Sequence, residues 1–279
     1  MANDSASLLQ RAQAGDRQAL EALLEVHQAE VYRFGMKMCR DPEDAKDVLQ
    51  ETLLAMARGV REFRGTSSVS TWLYSIARSF CIKKRRRRVH APAHEESLDS
   101  DAEVEARSIA APGQRADDAL AGKQVEAALE SAIRGLDPKY REVLVLRDIE
   151  GLSAAEVAEV LGIAVPAVKS RLHRARAAVR NSILPVLNIP VDAPAAPGIC
   201  PDAVALFSHH LEDDLSANVC AEMEKHLAQC PRCSAECDSL KRTLGLCKVS
   251  GKNVQVPADL QLSIKVALKQ FLSENGETD

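Results

Sequence analysis

The stretch GLSAAEVAEVLGIAVPAVKSRLHRARAAVR, Gly151 to Arg180, decides how this chain is read. Two short helices joined by a tight turn account for its pattern. Val157, Val160 and Leu161 recur at helical spacing in the first helix. Gly162 supplies the turn, where a backbone without Cβ takes a positive φ. Val168, Leu172, Ala175 and Val179 form the inner stripe of the second helix, which leaves Lys169, Ser170, His173 and Arg174 on its outer face. That helix carries Lys169, Arg171, Arg174, Arg176 and Arg180 with no acidic residue among them. Helix-turn-helix units lay such a second helix in the DNA major groove. The bland alternative is a helical hairpin with a solvated basic face. Period, turn and charge agree against it.

Composition bounds the rest. A chain of 279 residues holds two or three domains. Aromatic residues are only 3% while 46% are hydrophobic, which suits small helical modules better than a β sandwich. The net charge of -4 conceals segregation: Lys83 to Arg88 is an unbroken basic run, whereas Glu95 to Glu105 and Cys200 to Cys247 are acidic on balance. Local patches therefore matter more than the overall charge. MANDSASLLQ lacks the basic start and apolar core of a signal peptide, and no apolar run spans a bilayer. The expectation is a cytoplasmic protein with no membrane contact. Its eight cysteines are then mostly thiols, so clustered ones point to metal or redox chemistry.

Four parts follow along the chain. Residues 7–88 read as helices, with Asp16 as one N-cap, Asp41-Pro42 opening another helix, and Ser70 or Thr71 capping a third after the loop FRGTSS. Residues 89–115 are an acidic linker. Residues 116–187 contain VEAALESAIRGL, a break at Asp137-Pro138, and the helix-turn-helix. A proline-rich linker, 188–199, leads to a Cys/His-rich segment, 200–272.

DPEDAKDVLQETLLAM, FRGTSSVSTWLYSIARSFCIKKRRRR and the helix-turn-helix together resemble the extracytoplasmic-function (ECF) sigma factors of bacterial RNA polymerase. The resemblance covers about the first two thirds of the chain. It implies that Asp47, Gln50 and Glu51, which share a helix face, dock on the β′ clamp of core polymerase. The second sigma domain would meet the β flap. The loop at Arg64 would capture a flipped promoter base, and Lys83, Lys84, Arg85 and Arg86 would hold phosphates beside the minus-ten element. Lys169, Ser170, His173 and Arg174 become candidates for base edges or groove at the minus-thirty-five element, with Arg171 and Arg176 on phosphates. Trp72 and Tyr74 could be stacking platforms, but a lone Trp in a small helical domain is more often core. Ser79 stands where the family commonly has Asn, and Ala164 where it has a Ser N-cap. The family linker threads the RNA channel of polymerase. No catalytic constellation is present: polymerase supplies the chemistry.

The last part contains His226-x3-Cys230-x2-Cys233 with Cys200 upstream. His226 and Cys230 lie four apart at the end of a helix, Pro231 starts the next, and Cys233 points back to the same place. With Cys200 they complete a Cys3His set, a composition typical of structural zinc. The segment is too small to fold on its apolar residues alone. It resembles the zinc-binding anti-sigma fold, here fused to its own target. Cys220, Cys237 and Cys247 are surplus, and His209 and His210 are further candidate ligands. As a set they point to an exchangeable site, a second metal or a thiol switch, with Cd or Cu as alternatives to zinc. Leu260, Ile264, Leu268 and Leu272 form the stripe of a final amphipathic helix, which packs on the cysteine module, docks on a sigma domain, or both.

The expected fold is all-α: two small sigma domains, the second with a helix-turn-helix, and a small helical metal module in intramolecular contact with them. The expected function is promoter selection for polymerase under control of that module. The alternatives are a sigma factor with a purely structural or partner-recruiting zinc module, and a DNA-binding regulator independent of polymerase.

Overall fold

A computed structural model describes residues 2–39, 41–90, 116–187, 194–195, 200–250 and 254–274. Among the described residues all regular structure is helical. Both expected linkers fall almost entirely outside them. In chain order the helices are α1 (Ala2–Gln13), α2 (Arg17–Met38), α3 (Pro42–Gly59), α4 (Val69–His90), α5 (Ala116–Gly135), α6 (Pro138–Leu144), α7 (Ala154–Leu161), α8 (Val165–Leu187), α9 (Ala203–His210), α10 (Ala217–Gln229), α11 (Pro231–Ser250) and α12 (Ala258–Glu274).

The helix starts follow local chemistry. Asp16 accepts from the Ala19 N–H at 3.0 Å to cap α2, and Asp41 accepts from Glu43 N–H at 2.8 Å ahead of Pro42. Each satisfies an amide that the helix leaves without a partner. The start of α4 differs from expectation. Ser68, not Ser70 or Thr71, takes the cap, its Oγ accepting from the Thr71 N–H at 3.1 Å. Val69 is buried, so the helix begins early enough to bring that side chain into the core.

Helices α1 to α4 pack with one another, and α5 to α8 form a second group. In α8 the stripe Val168, Leu172, Ala175, Val179 and Ile183 is fully buried. A continuous apolar core joins the two groups and takes in Cys247 of α11 and Leu260, Ile264 and Leu268 of α12. Of the two places expected for α12, it lies against α3. Arg58 of α3 sits 5.5 Å above the Phe271 ring, and Lys265 pairs with Glu25 at 3.2 Å.

Polar bonds also cross between the groups. Arg33 of α2 donates to both carboxylate oxygens of Glu150 at 2.8 and 3.1 Å, and the Tyr74 hydroxyl donates to the same carboxylate at 2.8 Å. Arg78 of α4 donates to Glu142 of α6 at 3.1 Å. Glu150 follows a π-helical turn, Val145–Ile149. Such turns insert a residue into the helical ladder and re-aim side chains. This one turns Asp148 toward α8 and Glu150 toward α2.

Candidate nucleic-acid interface and metal centre

The turn between α7 and α8 is built as the residues require. Ser153 and Glu156 form a reciprocal capping box at the start of α7. Gly162 ends it in the left-handed region with φ 65°, a conformation a Cβ would strain. Helix α8 then begins after Ala164, whose carbonyl accepts from the Ala167 and Val168 amides at 2.9 and 3.2 Å. Alanine supplies no side-chain oxygen for the first-turn amides.

The outer face of α8 is not turned to open solvent throughout. Ser170 and Arg174 are exposed, Arg171 is half-buried, and Arg174 donates to the Tyr140 hydroxyl at 3.3 Å. Lys169 bends toward the turn after α9. It donates to the Glu212 carbonyl oxygen at 2.8 Å and pairs with the Asp214 carboxylate. His173 faces His209, with ring centroids 6.0 Å apart. Burial above all, and the cations around it, hold the His173 imidazole below its usual range, so it stays neutral at physiological pH.

Arg176, expected on phosphates, is instead 1% exposed. It donates to Asp148 at 2.7 and 2.9 Å, to Glu212 at 2.7 Å and to the Ser208 hydroxyl at 3.1 Å. It shares the helix face of Lys169, and α9, the acidic turn and Asp148 close over it there. Arg147 reaches Glu212 as well, at 3.1 Å. Arg180 is buried too and donates to Ser239 of α11 at 2.5 Å. The acidic turn is therefore seated among the basic side chains of α8. Asp213 holds that turn with φ 54°, a left-handed conformation that Asp tolerates better than most residues. Sequence reasoning passed over Glu212 and Asp214. The run EDD after a His pair was visible, but nothing local paired it with α8.

At the other expected interface Asp47 is exposed, Gln50 and Glu51 are half-buried, and all three lie on one side of α3. Lys84 of α4 pairs with Asp47. Arg64 is exposed in its loop, as are Lys83, Arg85 and Arg86 on α4. Trp72 stacks on Phe63 at 4.6 Å and packs against Gly59, while Tyr74 is 2% exposed, so both are packing residues here.

Cys200, His226, Cys230 and Cys233 come together, with one donor atom from each lying within 4.8 Å of the others. Cys230 sits at the corner between α10 and α11. Its amide donates back to the His226 carbonyl at 2.9 Å, and its own carbonyl accepts from Ser234 at 3.0 Å. That corner folds His226 and Cys233 onto one point, with Nε2 and Sγ 3.2 Å apart. Cys200, just ahead of α9, lies 3.8 Å from Cys230, sulfur to sulfur. Two thiolates on a tetrahedral ion at about 2.3 Å would stand about 3.8 Å apart. Burial and the neighbouring Cys230 and Cys200 sulfurs push the Cys233 thiol up to about 12. A thiophilic cation would reverse that shift by taking the thiolates as ligands. The donor set fits such an ion.

The surplus cysteines go elsewhere. Cys237 donates to the Ala203 carbonyl at 3.6 Å, Cys220 lies 3.5 Å from His210 Nδ1, and Cys247 is buried in the main core. His209 pairs with Asp214 at 3.6 Å. Among the described residues the Cys3His group is the one cluster with metal-binding proximity. Cys39 and Cys81, not singled out from the sequence, meet in the core of the first helical group with sulfurs 3.5 Å apart. Their separation along the chain concealed the pairing.

Three family models match: Sigma-70 region 2 over residues 23–90, Sigma-70, region 4 over residues 126–179, and a zinc-finger model over residues 200–234. RNA polymerase sigma-H factor of Pseudomonas aeruginosa is 31% identical over 185 residues, covering 64% of this chain and 94% of that protein. ECF RNA polymerase sigma factor SigM of Mycobacterium tuberculosis is 34% identical over 173 residues, covering 62% of this chain and 81% of the other. Among solved structures, that of CnrH in complex with the cytosolic domain of CnrY aligns at 24% identity with TM-score 0.46, over 64% of this chain and 96% of that one. With both sigma regions matched and the two relatives covered over 94% and 81% of their length, the chain belongs to the ECF RNA polymerase sigma factors, and it carries a segment that matches a zinc-finger family besides.

Proposed function

We propose that this chain is a promoter-specificity subunit of RNA polymerase whose DNA reader is held by its own C-terminal module. In this reading residues 7–88 engage the β′ clamp through Asp47, Gln50 and Glu51. They open the minus-ten element with the loop at Arg64 and the basic run that starts at Lys83. Residues 116–187 meet the β flap and read the minus-thirty-five element with Lys169, Ser170, His173 and Arg174. Arg171 stays with phosphate, whereas Arg176 becomes the anchor of the module. The reaction belongs to polymerase, so the working compartment is the cytoplasm. Residues 200–272 are the regulatory module, and zinc on Cys200, His226, Cys230 and Cys233 would brace it. A bound ion there would supply cross-linking and charge compensation of thiolates.

One observation carries the control reading: the acidic turn takes Lys169 and Arg176 of α8. Buried Arg176 anchors the turn, while the Asp214 carboxylate offers Lys169 what DNA would offer it, so turn and promoter compete for that side chain. A tether keeps the competitor at an effective concentration on the order of millimolar. An ion or oxidant that prefers one arrangement of the module shifts the balance by its differential affinity.

The test is run-off transcription with core polymerase, comparing full-length protein with the double substitution Glu212→Gln, Asp214→Asn. Weakening these charge-assisted contacts should free the reader by about 1–3 kcal/mol, or roughly 5- to 150-fold in promoter affinity. Equal transcription from both folded proteins rejects control by the turn and leaves promoter selection standing. No transcript from either, at any promoter tried including the protein's own, rejects promoter selection.

A further inference from the structure

We propose that Cys39 and Cys81 form an oxidation site, a dithiol that closes to a disulfide when a hydroperoxide reaches it. The site lies in the core of the first helical group, apart from the Cys3His cluster. The two sulfurs are 3.5 Å apart, at van der Waals contact. A disulfide needs about 2.05 Å, so about 1.5 Å of approach completes it.

The backbone allows that approach from one side. Cys81 is held in the middle of α4, while Cys39 is the first residue beyond α2, extended at φ -85° and ψ 147°. Its amide donates to the Gly35 carbonyl at 2.7 Å as the last bond of α2, and from its extended ψ onward the chain is outside the helix, so the adjustment falls to that corner. Both residues keep only a little surface, 9% for Cys39 and 7% for Cys81, so the oxidant has to be as small as a hydroperoxide. The hydrogen bond with Cys39, and then burial, hold the Cys81 thiol well above its ordinary range. Cys39, the more exposed of the two and at the corner, is assigned the first attack.

The chemistry balances in two steps. The Cys39 thiolate attacks one peroxide oxygen, the O–O bond breaks, and the departing hydroxide takes a proton to leave as water. Cys39 is now a sulfenic acid. The Cys81 sulfur attacks Cys39 sulfur, the S–O bond breaks, and the second hydroxide leaves as water with the Cys81 proton. Two thiols lose two electrons and the peroxide gains two. The bridge ties the α2–α3 corner to α4, one helical turn from Lys84, which pairs with Asp47 of α3. The reaction uses no residue of the metal cluster, so it would persist without that cluster.

The experiment treats full-length protein with a few equivalents of hydrogen peroxide, alkylates remaining thiols, digests without reduction and maps the peptides by mass spectrometry. The expected product joins the Cys39 and Cys81 peptides with the loss of two hydrogens, reverts with dithiothreitol, and forms equally in the Cys230→Ser, Cys233→Ser protein. Cys39→Ala and Cys81→Ala should each abolish it. Recovery of both residues alkylated after oxidant, or of Cys39 joined to a cysteine other than Cys81, overturns the proposal.

Discussion

Lys37 lies where α2 meets both the second helical group and the C-terminal module. It is 3% exposed, pairs with Glu130 of α5 and donates to the Ser250 hydroxyl of α11 at 3.4 Å. Burial is the main influence, and it lowers the amine from its ordinary 10.5 to about 8. An unfolded or opened chain therefore binds more protons at Lys37 than the packed one between about pH 8 and 10.5, and within that window packing gains stability as pH rises. Below about pH 8 both states carry the charge and the desolvation cost is felt in full. Denaturant unfolding of wild type and Lys37→Met should diverge as pH rises through the window, wild type gaining up to about 1.4 kcal/mol per pH unit on the variant. Parallel curves would mean that the packed amine is not desolvated.

At the scale of elements, caps decide where the helices of the DNA reader begin. Helix α7 has a complete capping box, whereas α8 starts on Ala164, whose side chain offers its first amides nothing. Ala164 is exposed, so a hydroxyl there meets no packing constraint. Ala164→Ser should stabilise the protein by about 1 kcal/mol, read as a shift of the urea midpoint at unchanged slope. The change should leave the Lys169 and Arg176 contacts as they are. A midpoint that falls or stays put would show that Pro166 and the packing of Val168 already set the start of α8.

Across the whole molecule, the C-terminal module bridges the two helical groups: α9 and α11 pack on α8, and α12 packs on α3. The two ends hold on by different means. The α12 end uses Leu260, Ile264 and Leu268, which belong to the main core. Around the Cys3His cluster the buried set is small, Ala203 with Cys230, Cys233 and Cys237. On the proposed reading an ion held by the four donors would add a cross-link to that set. Cys230→Ser with Cys233→Ser should therefore abolish stoichiometric metal and expose residues 200–234 to limited proteolysis, while the α8 core stays protected. Metal analysis and peptide mapping check both halves. A doubly substituted protein with full metal content would move the site elsewhere.

Sequence periodicity determined the helices themselves. Val168, Leu172, Ala175 and Val179 had one helical face to share, and Gly162 had the one backbone able to turn there without strain. The Cys3His spacing was legible for the same reason: His226, Cys230 and Cys233 lie within two turns of each other, so local geometry nearly closes the set. Ser68 displaced the expected caps because the burial of Val69 set the start of α4. What only the tertiary structure decided are the meetings of residues far apart in the chain. Lys169 and Arg176 looked alike on a helical wheel, yet Asp148 and Glu212 draw one into the interior while Glu212 and Asp214 take the other at the surface. Cys39 meets Cys81, and Lys37 meets Glu130 and Ser250, because three helical bodies share one core. No local pattern encodes such encounters: each is fixed by the free energy of packing the assembled apolar faces, which acts on the chain as a whole.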